Sequence, residues 1–512
     1  MRPTFLAFQT ASRAMAAIQA NIDVTGNNIA NVNTKGYTRQ RVDLNSISSS
    51  GYTQKYSAPG ANVGLGVDIA RISQIRDPFL DARYRSEASE NGKLETVLSG
   101  LTALESIFDE VDTEGLLKEL SDFVNELQTL SETPTNNDLK LIVRTAAQKV
   151  TQIMNVYAKQ VEDVREQHIY DLNNVVINND FNMLVKNIAD LNTQIRKEQT
   201  YGNVPNDLLD RRNLLIDELS ELANIKVTSS PEKISEDVTI ERLTISLYDS
   251  ISGTSVGIID NGFYNTLYAE STSDDLRIHI NSIFDKQADS DITEHFSGGA
   301  IRGYLDIING KGAYADITSA ENGFRGSLYY RNAINTFASN FARVLNDLNT
   351  IDAADPKPLF KSADGGAITA ANIRISDEWM EDSSFITTTV QSSDGGDNIL
   401  RMIAAINSEN TFYKNAEDPA SEIMFKGSFN EYMSGLIGEV ALDTELYQNF
   451  SDTSTSVLSN LFASRESISG VSLDEEGINL MAYQKSYNAA ARYFTVLDEA
   501  IDTLLHMGIV GR

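Results

Sequence analysis

A chain of 512 residues with 41% apolar residues can fill more than one core, so several domains are expected. Its formal charge of −30 excludes the basic surface that sequence-independent nucleic-acid or anionic-lipid binding requires. The absence of cysteine excludes disulfides, thiol catalysis and thiolate metal sites together, and no stretch approaches the ~20 continuous apolar residues of a membrane helix.

The first twenty residues are MRPTFLAFQTASRAMAAIQA. Gln9, Thr10, Ser12 and Arg13 interrupt the apolar run, whereas a secretory leader needs ~7–15 continuous apolar residues. The expectation is a chain that stays in the cytosol or leaves by a route that does not read such a leader. Phe8, Met15, Ile22 and Ile29 recur every seven residues, with Ala11, Ile18, Thr25 and Val32 at the other seam position. Near the far end, Leu480, Tyr483, Tyr487, Ala490, Phe494, Leu497, Ile501 and Leu504 alternate steps of three and four. Both are heptad stripes of the coiled-coil kind. Residues 1–50 carry five basic and two acidic side chains, a net of +3. Residues 471–512 carry three basic and six acidic ones, a net of −3. Pairing of the two terminal helices is one reading. Packing of each stripe on its own neighbour is the other.

Residues 41–75 turn rich in Ser, Gly and Tyr, and Val67, Ile69 and Ile72 suggest short strands. Helix is expected again over 97–130 on Leu116, Leu120, Phe123, Leu127 and Leu130. A second helix follows on Leu139, Ile142, Ala146, Val150, Ile153 and Tyr157, a third on Phe181, Leu184, Ile188, Leu191 and Ile195, and a fourth on Leu208, Leu215, Leu219 and Leu222. Residues 225–290 switch to period two, with a turn at Asp260-Asn261-Gly262. Helix returns at Ile334, Phe337, Phe341, Val344 and Leu348, residues 352–400 are mixed, and helix resumes from about 397 to 465. The fold class expected is mainly α with β inserts: paired terminal coiled-coil helices, a long helical middle and a small outer β domain.

Enzyme signals are poor. Ser230-Pro231-Glu232-Lys233 fits SxxK but has a proline, is expected in a loop, and lacks the partner motifs. Gly60, Gly64 and Gly66 have the wrong spacing for a dinucleotide fingerprint. Asp109, Asp112 and Glu114 faintly resemble a calcium loop but are better read as acids at a helix start. His168, His279, His295 and His506 form no HExxH or HxH pair, so neither a metal nor another cofactor is expected. Trp379 is equally readable as a packed residue or a binding platform. The stretch NNIANVNTKGYTRQ, residues 27–40, closes the first stripe with amides, Gly36 and Tyr37. The asparagines and Gly36 suit a left-handed turn, and Tyr37 can bury its ring with a wet hydroxyl. An ordinary capped helix and an assembly joint both fit.

Ala30-Asn31-Val32-Asn33-Thr34-Lys35-Gly36-Tyr37-Thr38 resembles the ANxNTxGY motif at the start of bacterial flagellar axial proteins, the rod, hook and hook-associated proteins. Ser469 to Leu505 resembles their shared C-terminal segment, and Ser469-Gly470-Val471-Ser472-Leu473-Asp474-Glu475-Glu476 with Tyr483-Gln484 and Tyr487 looks most like the hook-associated branch. Residues 298–307, GGAIRGYLDI, fit that branch too. The resemblance implies a secreted structural subunit of the hook–filament junction, with no enzymatic activity and no cofactor. It implies self-assembly into a ring, hook protein and the next hook-associated protein as axial neighbours, and unfolded passage through the flagellar type III export apparatus with an export chaperone. No nucleic acid or membrane insertion is implied. Asn28, Ala30, Asn31, Asn33, Thr34, Gly36 and Tyr37 become an assembly motif. The two seams become Phe8, Met15, Ile18, Ile22 and Ile29 against Leu480, Tyr483, Tyr487, Ala490, Phe494, Leu497, Ile501 and Leu504. The domains expected are 1–55 with 470–512 as the inner helical unit, 56–224 with 295–469 as the middle, and 225–294 as an inserted β domain. The alternative within the family is a hook or distal rod protein, which would need a β-dominated centre.

Overall fold

The computed structural model describes residues 4–509 apart from 48–63, 109–114, 236–238, 249–252, 254, 273–274, 283–289, 317–321, 353, 391–394, 416–417 and 419. Gly60, Asp109, Asp112 and Glu114 lie outside the described residues. The architecture is mainly α with β inserts. Helix α1, Thr4–Ala30, leads through a turn to the hairpin β1, Gln40–Ser46, and β2, Val67–Gln74. Five helical stretches follow: α2, Pro78–Phe108; α3, Leu116–Glu132; α4, Asn137–Tyr170; α5, Asn182–Thr200; and α6, Asn206–Leu222.

Helix α2 begins well before the expected residue 97. Its start is signalled chemically: Pro78 is the first residue, and Asp77 Oδ1 accepts from Phe79 N at 2.9 Å. The stretch lacked an apolar stripe because its buried face is itself polar, with Asp81, Ser89 and Asn91 inside. The second and third expected helices are one continuous rod. Asp171–Phe181 winds as π-helix between α4 and α5, with no proline or glycine to stop it. The wider turns reset the helix phase where one core ends at Val161 and the next begins at Leu172.

Two sheets follow. Strands β3, Ile225–Lys233; β4, Thr239–Tyr248; β5, Ser255–Asp260; and β6, Phe263–Tyr264, form an antiparallel sheet in that order. Strands β7, Thr266–Ser271; β8, Leu276–Asn281; and β9, Ser290–Asp291, form a second. The Asp260-Asn261-Gly262 turn is present, with Asn261 at φ 59°. Ser230-Pro231-Glu232-Lys233 is not the expected loop but the end of β3. That strand is an edge, so Pro231 removes no needed hydrogen bond. His279 pairs with Tyr268 across the strands and stacks on its ring at 5.4 Å. The strands share their core with helices on either side: Ile245, Ile278 and Ile280 meet Phe181, Ile188, Ile216 and Ile301.

Helix α7, Gly299–Asn309, crosses α2 closely. A Cβ on Gly303 would lie 2.7 Å from the Lys93 carbonyl, so only glycine fits there. The remaining elements are α8, Ser327–Asn349; β10, Phe360–Ser362; β11, Ile373–Ile375; α9, Asp377–Glu381; α10, Asp397–Asn407; β12, Asn410–Tyr413; β13, Ile423–Gly427; α11, Phe429–Ser469; and α12, Leu473–Ile509. The larger core centres on Phe341, ringed by Phe360 at 5.3 Å, Phe429 at 5.6 Å, and Phe123 and Phe337 at 6.2 Å. Trp379 is fully buried against Phe360, a packed residue and not a platform. Helix α11 starts with a capping box between Ser428 and Glu431.

Candidate functional site: the joint behind the terminal helices

Helices α1 and α12 lie side by side and antiparallel. Phe8 meets Phe494 edge-to-face at 4.8 Å, and Asn28 meets Glu476 at the other end. Within this pair the small residues are the buried ones. Ala11 and Thr25 are closed off, while Phe8, Met15, Ile18, Ile22 and Ile29 are half-buried. On α12, Leu480, Tyr483, Ala490, Phe494, Leu497 and Ile501 are half-buried and Tyr487 is exposed. The side chain of Leu504 lies outside the described residues. Two helices alone cover only a narrow seam, so bulky flanking residues stay partly open. A second face of α1, at Ala17, Val24 and Asn28, is also buried. It shares the side of Arg13, whose guanidinium donates to the Leu65 carbonyl near the hairpin.

The turn after α1 is built from side-chain amides. Asn31 Nδ2 donates to the Asn27 carbonyl at 3.0 Å, and Thr34 Oγ1 to Asn31 Oδ1 at 3.2 Å. Asn33 and Ala30 are exposed. None of the asparagines of this turn takes the left-handed conformation. That role falls to Gly36, at φ 79°, close over Leu214 of α6. Asn28 is buried and fully engaged. Its Oδ1 accepts from Gln40 N at 3.0 Å and from the Tyr37 hydroxyl at 2.8 Å. Its Nδ2 donates to the Gln40 carbonyl at 3.0 Å and to Glu476 Oε2 at 3.3 Å. The amide therefore mimics a strand partner for β1 while tying it to α12. Tyr37 spends its hydroxyl on Asn28, not on solvent as expected. Burial, then the charges of Asp210 and Glu476, push its pKa to about 12.

Charged groups missed in the sequence complete the joint. Arg39 Nε reaches Glu476 Oε1 at 2.8 Å, and its NH1 reaches Glu475 at 2.9 Å. Its backbone N–H donates to the Ser469 carbonyl at 2.8 Å. The opposite net charges of the two ends were the available signal. The structure uses them here, at the turn, where burial makes the pairs count. Deeper in, Asp217 of α6 accepts from Arg85 at 2.7 Å and from Arg465 at 2.6 Å. Arg465 lies 4.1 Å over the Tyr84 ring. Arg76 forms a bidentate pair with Asp81. A cleft of about 310 Å³ separates the turn from α6 and α11. Nothing in this arrangement couples a nucleophile to a base. It is built to fix an angle between the helix pair and the body.

Two outcomes test the turn. Gly36→Val puts a β-branched residue at positive φ against Leu214, which costs about 1–3 kcal/mol locally. Assembly of the protein into its working form is expected to suffer more than the melting of the middle domain. Equal losses in both would contradict a joint role. Asp210 accepts from Thr38 N at 3.2 Å and Gln74 Nε2 at 2.8 Å, yet burial raises its pKa to about 6. The folded chain thus holds this proton more tightly than the unfolded one. Its stabilising contribution is full below about pH 4 and is lost as pH rises through about 6. Asp210→Asn is expected to flatten that part of the stability profile in urea titrations. An unaltered slope would show that the carboxylate is ionised throughout.

Among the described residues no group of three His, Asp or Glu is placed to hold a metal, and no helix is long and apolar enough to cross a membrane. Family models match three parts of the chain. Residues 101–354 match the helical domain of flagellar hook-associated protein FlgK. Residues 8–38 match the flagella basal body rod protein, and 464–507 the C-terminal model of the basal body rod FlgEFG proteins. The chain is 28% identical to flagellar hook-associated protein 1 of Bacillus subtilis, with the alignment covering 100% of each. It is 23% identical to that of Salmonella typhimurium over 97% of this chain and 99% of the relative. A basal-body rod protein FlgG of Caulobacter vibrioides is 35% identical over 80 residues, covering 14% of this chain and 30% of that protein. The solved flagellar hook junction protein FlgK of Burkholderia pseudomallei shares the fold, with a TM-score of 0.56 at 12% identity over 76% of this chain and 100% of that one. The chain belongs to the flagellar hook-associated protein 1 family, a structural component of the flagellum whose two ends are those of the axial rod and hook proteins.

Proposed function

We propose that this chain is the subunit of the hook–filament junction, forming a ring at the distal end of the hook on which the filament grows. The observation that carries this is the combination in one chain. Rod-type ends pair as helices, and a hook-associated helical middle sits between them behind a charged joint. The same combination disfavours a hook or distal rod protein, since the centre is helical and not β-dominated. The role is structural and non-enzymatic. Hook protein and the next hook-associated protein are its axial neighbours. It travels unfolded through the flagellar export apparatus, with an export chaperone, and works outside the cell. The half-open seams support folding on assembly, because the helix pair alone leaves much apolar surface wet.

A deletion strain imaged by electron microscopy, with flagellin blotted in the medium, tests the role. Hooks without filaments and shed flagellin are the expected result. Rods without hooks would transfer the chain to the hook-protein alternative. Normal filaments would refute the role altogether.

A further inference from the structure

The C-terminal half of α11 carries its apolar residues on the outside. From Asp443 on, the residues it buries are Asp443, Ser451, Ser454, Leu461 and Ser469, four of them polar. Toward α2, Ser454 Oγ donates to Glu87 at 2.7 Å and Thr455 Oγ1 to Asn91 Oδ1 at 3.0 Å. Meanwhile Leu442, Leu446, Phe450, Val457 and Ile468 are 66, 46, 48, 36 and 39% exposed. Their steps of four, four, seven and eleven residues lie near whole helical turns, so they form one stripe about 40 Å long. Single exposed apolar residues are ordinary. An aligned stripe over a polar buried face is the reverse of normal amphipathic packing.

We propose that this stripe is the surface on which a second copy of the chain docks in the assembled ring. The inference rests on the junction reading above. Five side chains about half exposed offer on the order of 400 Å², short of the ~800 Å² per partner that a stable pair buries. With −30 on each chain, that area does not hold a dimer in dilute solution. It suits a contact repeated around a closed ring, where every subunit is held on two sides at once. A soluble partner of another kind would have to bind by this small patch alone. Leu446 also borders a cleft of about 560 Å³ with Phe324, Tyr329 and Tyr447, which has room for one large anchoring side chain.

The test places the photo-cross-linker p-benzoylphenylalanine at Phe450 in the full chain, followed by ultraviolet exposure of purified flagella. An adduct of two copies of this chain is expected. An adduct with a different flagellar protein, or none although the chain is present, would overturn the proposal. A chain missing from purified flagella would instead overturn the junction reading, and the proposal with it. In parallel, Leu446→Asp combined with Phe450→Asp should leave the monomer's melting unchanged, because both positions are exposed. Swimming should fall to the level of the deletion strain. Swimming at the wild-type level with this double variant would equally refute the docking surface.

Discussion

Replacing Asp217 with alanine is expected to lower the unfolding free energy by about 3–5 kcal/mol, because it strands two buried cations at once. Arg85 and Arg465 have side chains only 11% and 15% exposed, and each places a nitrogen within 2.7 Å of this carboxylate. The neighbouring carboxylate cannot substitute. Asp81 is 3.8 Å from Arg465 and already holds Arg76 with both oxygens. Urea unfolding of the full chain measures the loss as a shift in midpoint. A second substitution gives the stronger check. Arg465→Met in the Asp217→Ala background removes one orphaned charge and keeps an apolar stem over Tyr84, so stability should partly return. A loss under about 1 kcal/mol in the single variant would show that the arginines reach solvent and that the joint is loose.

Phe341→Ala is expected to cost about 3–5 kcal/mol by a different route, a cavity among the four aromatic rings that surround it. It should leave the joint intact, since Phe341 belongs to the larger core and touches none of the joint residues. Hydrogen exchange distinguishes the two variants. In Phe341→Ala, amides of α8 and α3 should lose protection while those of β1 keep theirs. In Asp217→Ala the order should reverse. Matching losses in both segments for both variants would mean that the chain unfolds as one unit and that the joint is not separable.

Those two sites also show what the sequence could and could not reveal. The heptads of α1 and α12 were legible because a helix repeats its buried face at short range. So were the stripes of α3 to α6 and the turn at Asn261. The joint was only half legible. Its glycine and amides lie in one run of residues, but Asp217 and Arg465 are 248 positions apart and Asn28 and Glu476 are 448 apart. No local period connects such pairs, and the compositional trace they left was the opposite net charge of the two ends. The polar buried faces of α2 and of the later half of α11 were invisible for a related reason. Periodicity finds apolar positions, and here serine, asparagine and aspartate were inside while Leu442, Leu446 and Phe450 were outside. The π-helical stretch was unreadable because hydrophobic spacing assumes one helical pitch throughout.

The junction role itself is tested most directly by position. Gold-labelled antibody against this chain, applied to intact flagella and imaged by electron microscopy, should decorate a single narrow band where hook meets filament. Label spread along the hook or confined to the rod would contradict it.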